Sequence, residues 1–110
     1  MSRAITGRLE FKERVQRWAR KLEAQVTSIS IRSMKTKWAS YSTTGRLTFD
    51  ASLPTLRDEL QDYVIVHELL HFHVPNHGKL WKSLMRGHLG DHEALAQQLK
   101  RIESHKRLAQ

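Results

Sequence analysis

Apolar residues Phe11, Val15, Trp18 and Leu22 recur at i, i+4, i+7 and i+11, while Arg8, Lys12, Arg14, Arg20 and Lys21 lie mostly elsewhere around the wheel. This 3.6-residue period predicts an amphipathic helix over about residues 6 to 24, with a basic polar face. From Val26 the period falls to two. Ile29 and Ile31 alternate with Ser28, Ser30 and Arg32, and Met34, Thr36, Trp38 and Ser40 alternate with Lys35, Lys37 and Ala39, which predicts strands. Thr43-Thr44-Gly45 is a turn signal, and Leu47, Phe49, Ala51 and Leu53 then alternate with polar residues, so a hairpin is expected across Gly45.

Pro54-Thr55 ends the sheet, and Thr55 with Asp58 three residues on resembles a capping box opening a central helix. Leu56, Leu60, Tyr63, Val64, Ile65, Val66, Leu69, Leu70 and Phe72 leave that helix little polar surface in its second half, so it should be buried nearly all round. Pro75 cannot continue it and disfavours helical geometry at Val74. Leu80, Trp81, Leu84 and Met85 predict a short further helix. Asp91 is placed as the N-cap of a last one carrying Leu95, Leu99 and Ile102 on its apolar face.

The central helix carries the chemistry. His67-Glu68-Leu69-Leu70-His71 followed by His77 is an H-E-x-x-H-x5-H pattern, and residues four apart project from one helix face, so His67 and His71 reach one cation. Two histidines on so apolar a helix need partners, because a buried polar group without one costs about 1–3 kcal/mol. A zinc ion satisfies both; the competing reading gives each a backbone carbonyl or carboxylate. The turn at Pro75 brings His77 back as the third ligand. Three neutral imidazoles leave a tetrahedral zinc one open position for water, whose pKa the metal lowers toward about 7. Glu68, about 100° around the helix, is then the expected general base for hydrolysis of an amide, against the plainer reading of a salt-bridged helix residue.

Composition narrows the options. A chain of 110 residues is expected to be a single domain over 1–110. It has no cysteine, which removes disulfides and thiolate zinc sites. Without an apolar run of roughly 18 residues or a leader-like segment, no membrane partner is expected and the cytoplasm is the expected compartment. The net charge of +8 favours anionic partners. Arg8, Arg14, Arg17, Arg20 and Lys21 at one end, with Lys100, Arg101, Lys106 and Arg107 at the other, suit either a weak nucleic-acid association or solvated helix faces. No helix-turn-helix, zinc-finger or aromatic-basic RNA motif accompanies them.

Met34-Lys35-Thr36-Lys37-Trp38-Ala39-Ser40, Gly45-Arg46-Leu47-Thr48, the run Asp62 to His71, Asn76-His77 and Leu80-Trp81 together resemble the YgjP-like metallopeptidase family of the zincin superfamily. The resemblance spans about residues 34 to 85, roughly half the chain. It implies a zinc metallopeptidase with His67, His71 and His77 as ligands, Glu68 as catalytic base and a peptide or protein as substrate. The family usually reads Trp-Gly-Ser-Cys where this chain has Trp38-Ala39-Ser40-Tyr41, and its Pro-aromatic segment beyond the third histidine is replaced by Gly87-His88-Leu89-Gly90-Asp91. Metzincins share the third-histidine spacing, but Val74 stands where they carry Gly.

The expected architecture is α+β, a minimal zincin-like domain: N-terminal helix, small mostly antiparallel twisted sheet, central metal-binding helix and two C-terminal helices. Trp38 and Ser40 lie on the strand segment that would run beside the metal-binding helix and pair with an extended substrate, with Trp38 as plain core the competing reading. His73 should face away, His88 and His92 should be solvated, and Trp81 should be core. Two other functions fit the sequence: a basic nucleic-acid- or partner-binding module with a structural zinc, and a hydrolase of a non-peptide amide or ester.

Overall fold

In the computed structural model, which describes the backbone of residues 3–108 and the side chains of residues 7–103, the first helix, α1, runs Arg3–Lys21. The side chains of Lys106 and Arg107 thus lie outside the described residues. Phe11, Val15 and Ala19 are buried along one α1 face, with Trp18 and Leu22 packed beside them. The helix stops three residues before its expected end because Glu23 takes a left-handed φ of 54°, and Ala24 N–H then bonds back to the Ala19 carbonyl at 2.9 Å. The basic face is only partly free: Arg14 pairs with Asp58 at 3.1 Å and Asp62 at 2.8 Å, whereas Arg17, Arg20 and Lys21 are exposed.

Three strands follow, β1 (Ser28–Arg32), β2 (Ala39–Tyr41) and β3 (Arg46–Asp50), in the order β1-β3-β2. The hairpin across Gly45 forms as expected, pairing β2 antiparallel to β3. Its turn requires glycine: Gly45 has φ 91°, and a Cβ there would lie 2.7 Å from the Gln25 carbonyl oxygen. The mostly antiparallel sheet needs correction, because β1 pairs parallel to β3 and the sheet is mixed. Met34 to Lys37, whose alternation predicted strand, instead form a loop that carries the chain past the end of β3 to its other side.

Asp50 holds that crossing. Its carboxylate is 1% exposed and accepts the Met34 N–H at 2.8 Å and the Ser52 N–H at 3.0 Å, with the Ser52 hydroxyl as a further donor. A buried carboxylate satisfied by backbone donors offers the loop an alternative to ladder hydrogen bonds.

Helix α2 spans Asp58–Leu70. The expected capping box is absent: Thr55 belongs to a short 3₁₀ turn, Leu53–Thr55, and its hydroxyl donates back to the Ser52 carbonyl. Arg57 occupies the N-cap without a side-chain bond. Leu60, Val64, Ile65, Val66, Leu69 and Leu70 are buried, as the apolar run requires. The indole N–H of Trp18 donates to Asp62 Oδ1 at 2.8 Å, on the same oxygen that Arg14 holds, so α1 is clamped to the metal-motif helix.

Helix α3 (Lys79–Leu89) buries Trp81 and Met85 against Val66 and Leu70, whereas Leu80, read with its apolar residues, is 61% exposed. Helix α4 (His92–Leu108) opens as predicted with Asp91 Oδ1 accepting the Ala94 N–H at 3.2 Å, and it packs Leu95 and Leu99 into the core. The order and classes of the elements thus give the expected α+β architecture. No described helix is long and apolar enough to cross a membrane.

Candidate metal centre

The last turn of α2 carries His67 and Glu68, and His71 stands one residue past its end with helical φ and ψ of −65° and −15°. His71 therefore continues the face that His67 begins. Beyond Pro75 the loop returns His77 to this face, its Nε2 2.9 Å from His71 Nε2. Ring centroids of His67 lie 5.2 Å from His71 and 4.7 Å from His77. One nitrogen from each of the three rings falls within 4.8 Å of the others, the one such group of potential ligands among the described residues.

The protonation chemistry suits a cation. Burial, with His77 and His71 beside it, pushes His67 down to about 4 from its ordinary 6.5, and burial and His71 lower His77 as well, so these rings favour the neutral, ligating form. His71 Nδ1 lies 3.2 Å from the Val74 carbonyl oxygen and donates to it when its Nε2 is free to face His77. Two Nε2 lone pairs aimed at one another at 2.9 Å need a shared proton or a cation between the rings. The residues present fit a divalent metal.

Glu68 is half-buried, and burial raises its carboxyl above the usual carboxylate range, with His71 and Lys37 pulling the other way. Trp38 lines a cavity next to Glu68 and His67. Ser40 does not: alternation along β2 gives the buried face to Ala39, and Ser40 pairs with Thr48. With the order β1-β3-β2, β2 is an edge of the sheet, and it packs beside α2.

The other histidines with described side chains lie elsewhere. His73 is exposed and its Nε2 meets the Leu22 carbonyl at 2.8 Å, in keeping with its expected outward position. His88 is half-buried edge-on to Trp18. His92, expected to be solvated, is instead 5% exposed behind Trp81, because it opens α4 where that helix packs on α3.

Aromatic rings wall the three histidines. Trp81 is core, as expected, yet its ring also lies 4.4 Å from His77 at 33° and 5.0 Å from His67. Tyr63 sits 5.8 Å from the His67 ring, and Tyr41 stacks over His71 at 6.4 Å and 25°. The four-residue spacing from Tyr63 to His67 was a readable signal. Tyr41 had none, since only the fold brings β2 to the end of α2.

The family model described as YgjP-like, metallopeptidase domain matches residues 5–102, well beyond the segment that carried the sequence resemblance. The crystal structure of the metallopeptidase zymogen of Methanocaldococcus jannaschii jannalysin is similar at a TM-score of 0.71 and 30% identity, over 86% of this chain and 95% of that one. The metallopeptidase zymogen of Pyrococcus abyssi abylysin shares the fold at a TM-score of 0.68 and 21% identity, over 81% and 90%. Among curated proteins none matches the chain.

Proposed function

Because the chain belongs to the YgjP-like metallopeptidase family, we propose that it is a zinc-dependent metallopeptidase in which His67, His71 and His77 hold the ion and Glu68 is the general base. In this reading residues 1–110 act as one domain on peptide or protein substrates. The observation that carries it is the convergence of three imidazoles beside a half-buried carboxylate whose pKa is raised.

Zinc is favoured because every donor in the cluster is an imidazole nitrogen, whereas harder cations prefer oxygen. When bound, zinc supplies Lewis acidity, lowering the pKa of water toward about 7 and polarising a carbonyl. The protein's own groups do the rest. The bond from His71 to the Val74 carbonyl selects the tautomer whose Nε2 faces inward. Trp81 packs against both His77 and His67 and limits how their rings turn. Glu68 accepts a proton as the water oxygen bonds to the carbonyl carbon, and passes it to the amine nitrogen as the C–N bond breaks. Burial makes this carboxylate a stronger base than an exposed one.

Two further features support catalysis over a structural zinc. His73 is bonded to the Leu22 carbonyl, and His88 and His92 lie outside the cluster, so it has three protein ligands and no fourth among the described residues. The edge strand β2 lies beside α2, where an extended peptide can add main-chain hydrogen bonds and present its amide to the site.

The test is peptide cleavage by zinc-loaded wild type and Glu68→Gln. Glutamine cannot accept the proton, so cleavage is expected to fall by about 100-fold or more while zinc content is kept. Equal turnover in the two proteins removes Glu68 from the reaction.

A further inference from the structure

A cavity of about 190 Å³ opens between β2, α2 and α4, against His67 and Glu68, and the rest of its lining has no part in ligand-holding or proton transfer. Its floor is apolar and buried: Ala39 from β2, Val64 from α2 and Leu99 from α4. Trp38 and Tyr63, both half-buried, form its upper walls, and Glu68 closes the side that faces the metal centre.

Size and chemistry restrict the occupant. A cavity of roughly 150 Å³ accommodates one benzene molecule, and pockets for whole drug-sized ligands run to about 300–1,000 Å³, so this one has room for a single side chain. The floor offers no hydrogen-bond partner to a polar group, which would lose water without compensation. An acidic side chain would meet the Glu68 carboxylate. A basic one would pair with it and occupy the group needed to accept a proton. An apolar side chain faces neither cost, and Trp38 and Tyr63 give it aromatic surface to pack against.

We propose that this cavity is the specificity pocket of the enzyme, and that it selects a substrate residue next to the scissile bond with a branched aliphatic or single-ring aromatic side chain. The proposal rests on the peptidase reading above. Its position supports the adjacency, because Glu68 and His67 are shared between the pocket wall and the reaction centre. Leu99 sets the depth. It reaches the floor from α4, which carries none of the three ligands, so its size can change without altering the ligand set.

The experiment varies the residues on either side of the cleaved bond in a peptide set and compares zinc-loaded wild type with Leu99→Phe. For wild type, kcat/KM is expected to be about 10–100-fold higher for Leu or Phe than for Gly or Asp at one of those positions. Leu99→Phe fills the floor and should reduce that Leu-over-Gly ratio by about 10-fold or more. In parallel, Glu68→Gln is titrated with N-acetyl-leucinamide and N-acetyl-glycinamide, with the methyl resonances of Val64 and Leu99 as the readout. Shifts with the leucine compound alone support the pocket, and this measurement decides even if Leu99→Phe does not fold. Glu68-dependent cleavage indifferent to the flanking side chain, with no methyl shifts, overturns the pocket and leaves the peptidase reading standing. Absence of any cleavage by zinc-loaded wild type overturns the peptidase reading and the proposal together.

Discussion

The Nε2 atoms of His71 and His77 face each other at 2.9 Å, although one ring ends a buried helix and the other stands on an exposed loop beyond Pro75. Only one of the two can carry a proton there, and in the function proposed above a metal ion takes that proton's place.

Zinc binding should therefore depend on each ring. Wild type is expected to hold about one zinc per chain. His67→Ala, His71→Ala and His77→Ala should each weaken binding by more than the roughly 10–100-fold typical of losing an outer partner. Calorimetric titration with zinc and metal analysis of the purified proteins measure this. Undiminished zinc in any of the three variants would remove that residue from the site.

The depressed pKa of His67 predicts how the metal-free protein responds to acid. Folded His67 stays neutral down to about 4, whereas the unfolded chain takes up the proton below about 6.5, so the unfolded state binds more protons between those values. This contribution to stability is whole above about 6.5, is lost progressively as pH falls toward 4, and changes no further below. His77 shifts in the same direction. Glu68, whose raised pKa means the folded state keeps its proton longer, works in the opposite direction. The measurement is therefore urea unfolding of metal-free Glu68→Gln against the same protein carrying His67→Gln. The first should lose more stability than the second between pH 7 and 4.5, and parallel losses would refute the linkage.

Asp62 joins the first helix to the helix that carries His67 and Glu68, through Arg14 and the Trp18 indole. Asp62→Ala strands the Trp18 indole N–H at a part-buried site and leaves Arg14 with the exposed Asp58 as its partner, and should cost about 1–3 kcal/mol in chemical denaturation. Zinc stoichiometry at saturation should be unchanged, because none of the three proposed ligands is touched. A loss below a few tenths of a kcal/mol would mean that water replaces the carboxylate without penalty.

Glu23 holds a left-handed conformation at the end of α1, which disfavours residues with a Cβ by about 1–2 kcal/mol. Part of that is offset by the larger chain entropy glycine loses on folding. Glu23→Gly is expected to raise stability by about 0.5–1 kcal/mol, seen as a higher Tm for the metal-free protein. Glu23→Val, with a branched Cβ, should lower it.

Local features were readable because their causes are local. The 3.6-residue spacing of Phe11, Val15, Trp18 and Leu22 reports which side of α1 meets the core, and the four-residue step from His67 to His71 puts two rings on one face whatever surrounds them. Thr43-Thr44-Gly45 marked the hairpin for the same reason, since the turn itself demands the glycine. Met34 to Lys37 misled because alternation is only permissive for strand: the buried Asp50 carboxylate captures the Met34 N–H and bends the chain.

From order and spacing alone came the helices, the hairpin, the three converging histidines and the neighbouring carboxylate, all set by periods and turns that act over a few residues. Tertiary structure decided the parallel pairing of β1 with β3, the burial of His92 behind Trp81, the stacking of Tyr41 over His71, and the meeting of Ala39, Val64 and Leu99 beside Glu68. Those relationships join residues far apart in the chain. They depend on which packing buries the most apolar surface while satisfying buried polar groups, a balance struck by the whole fold.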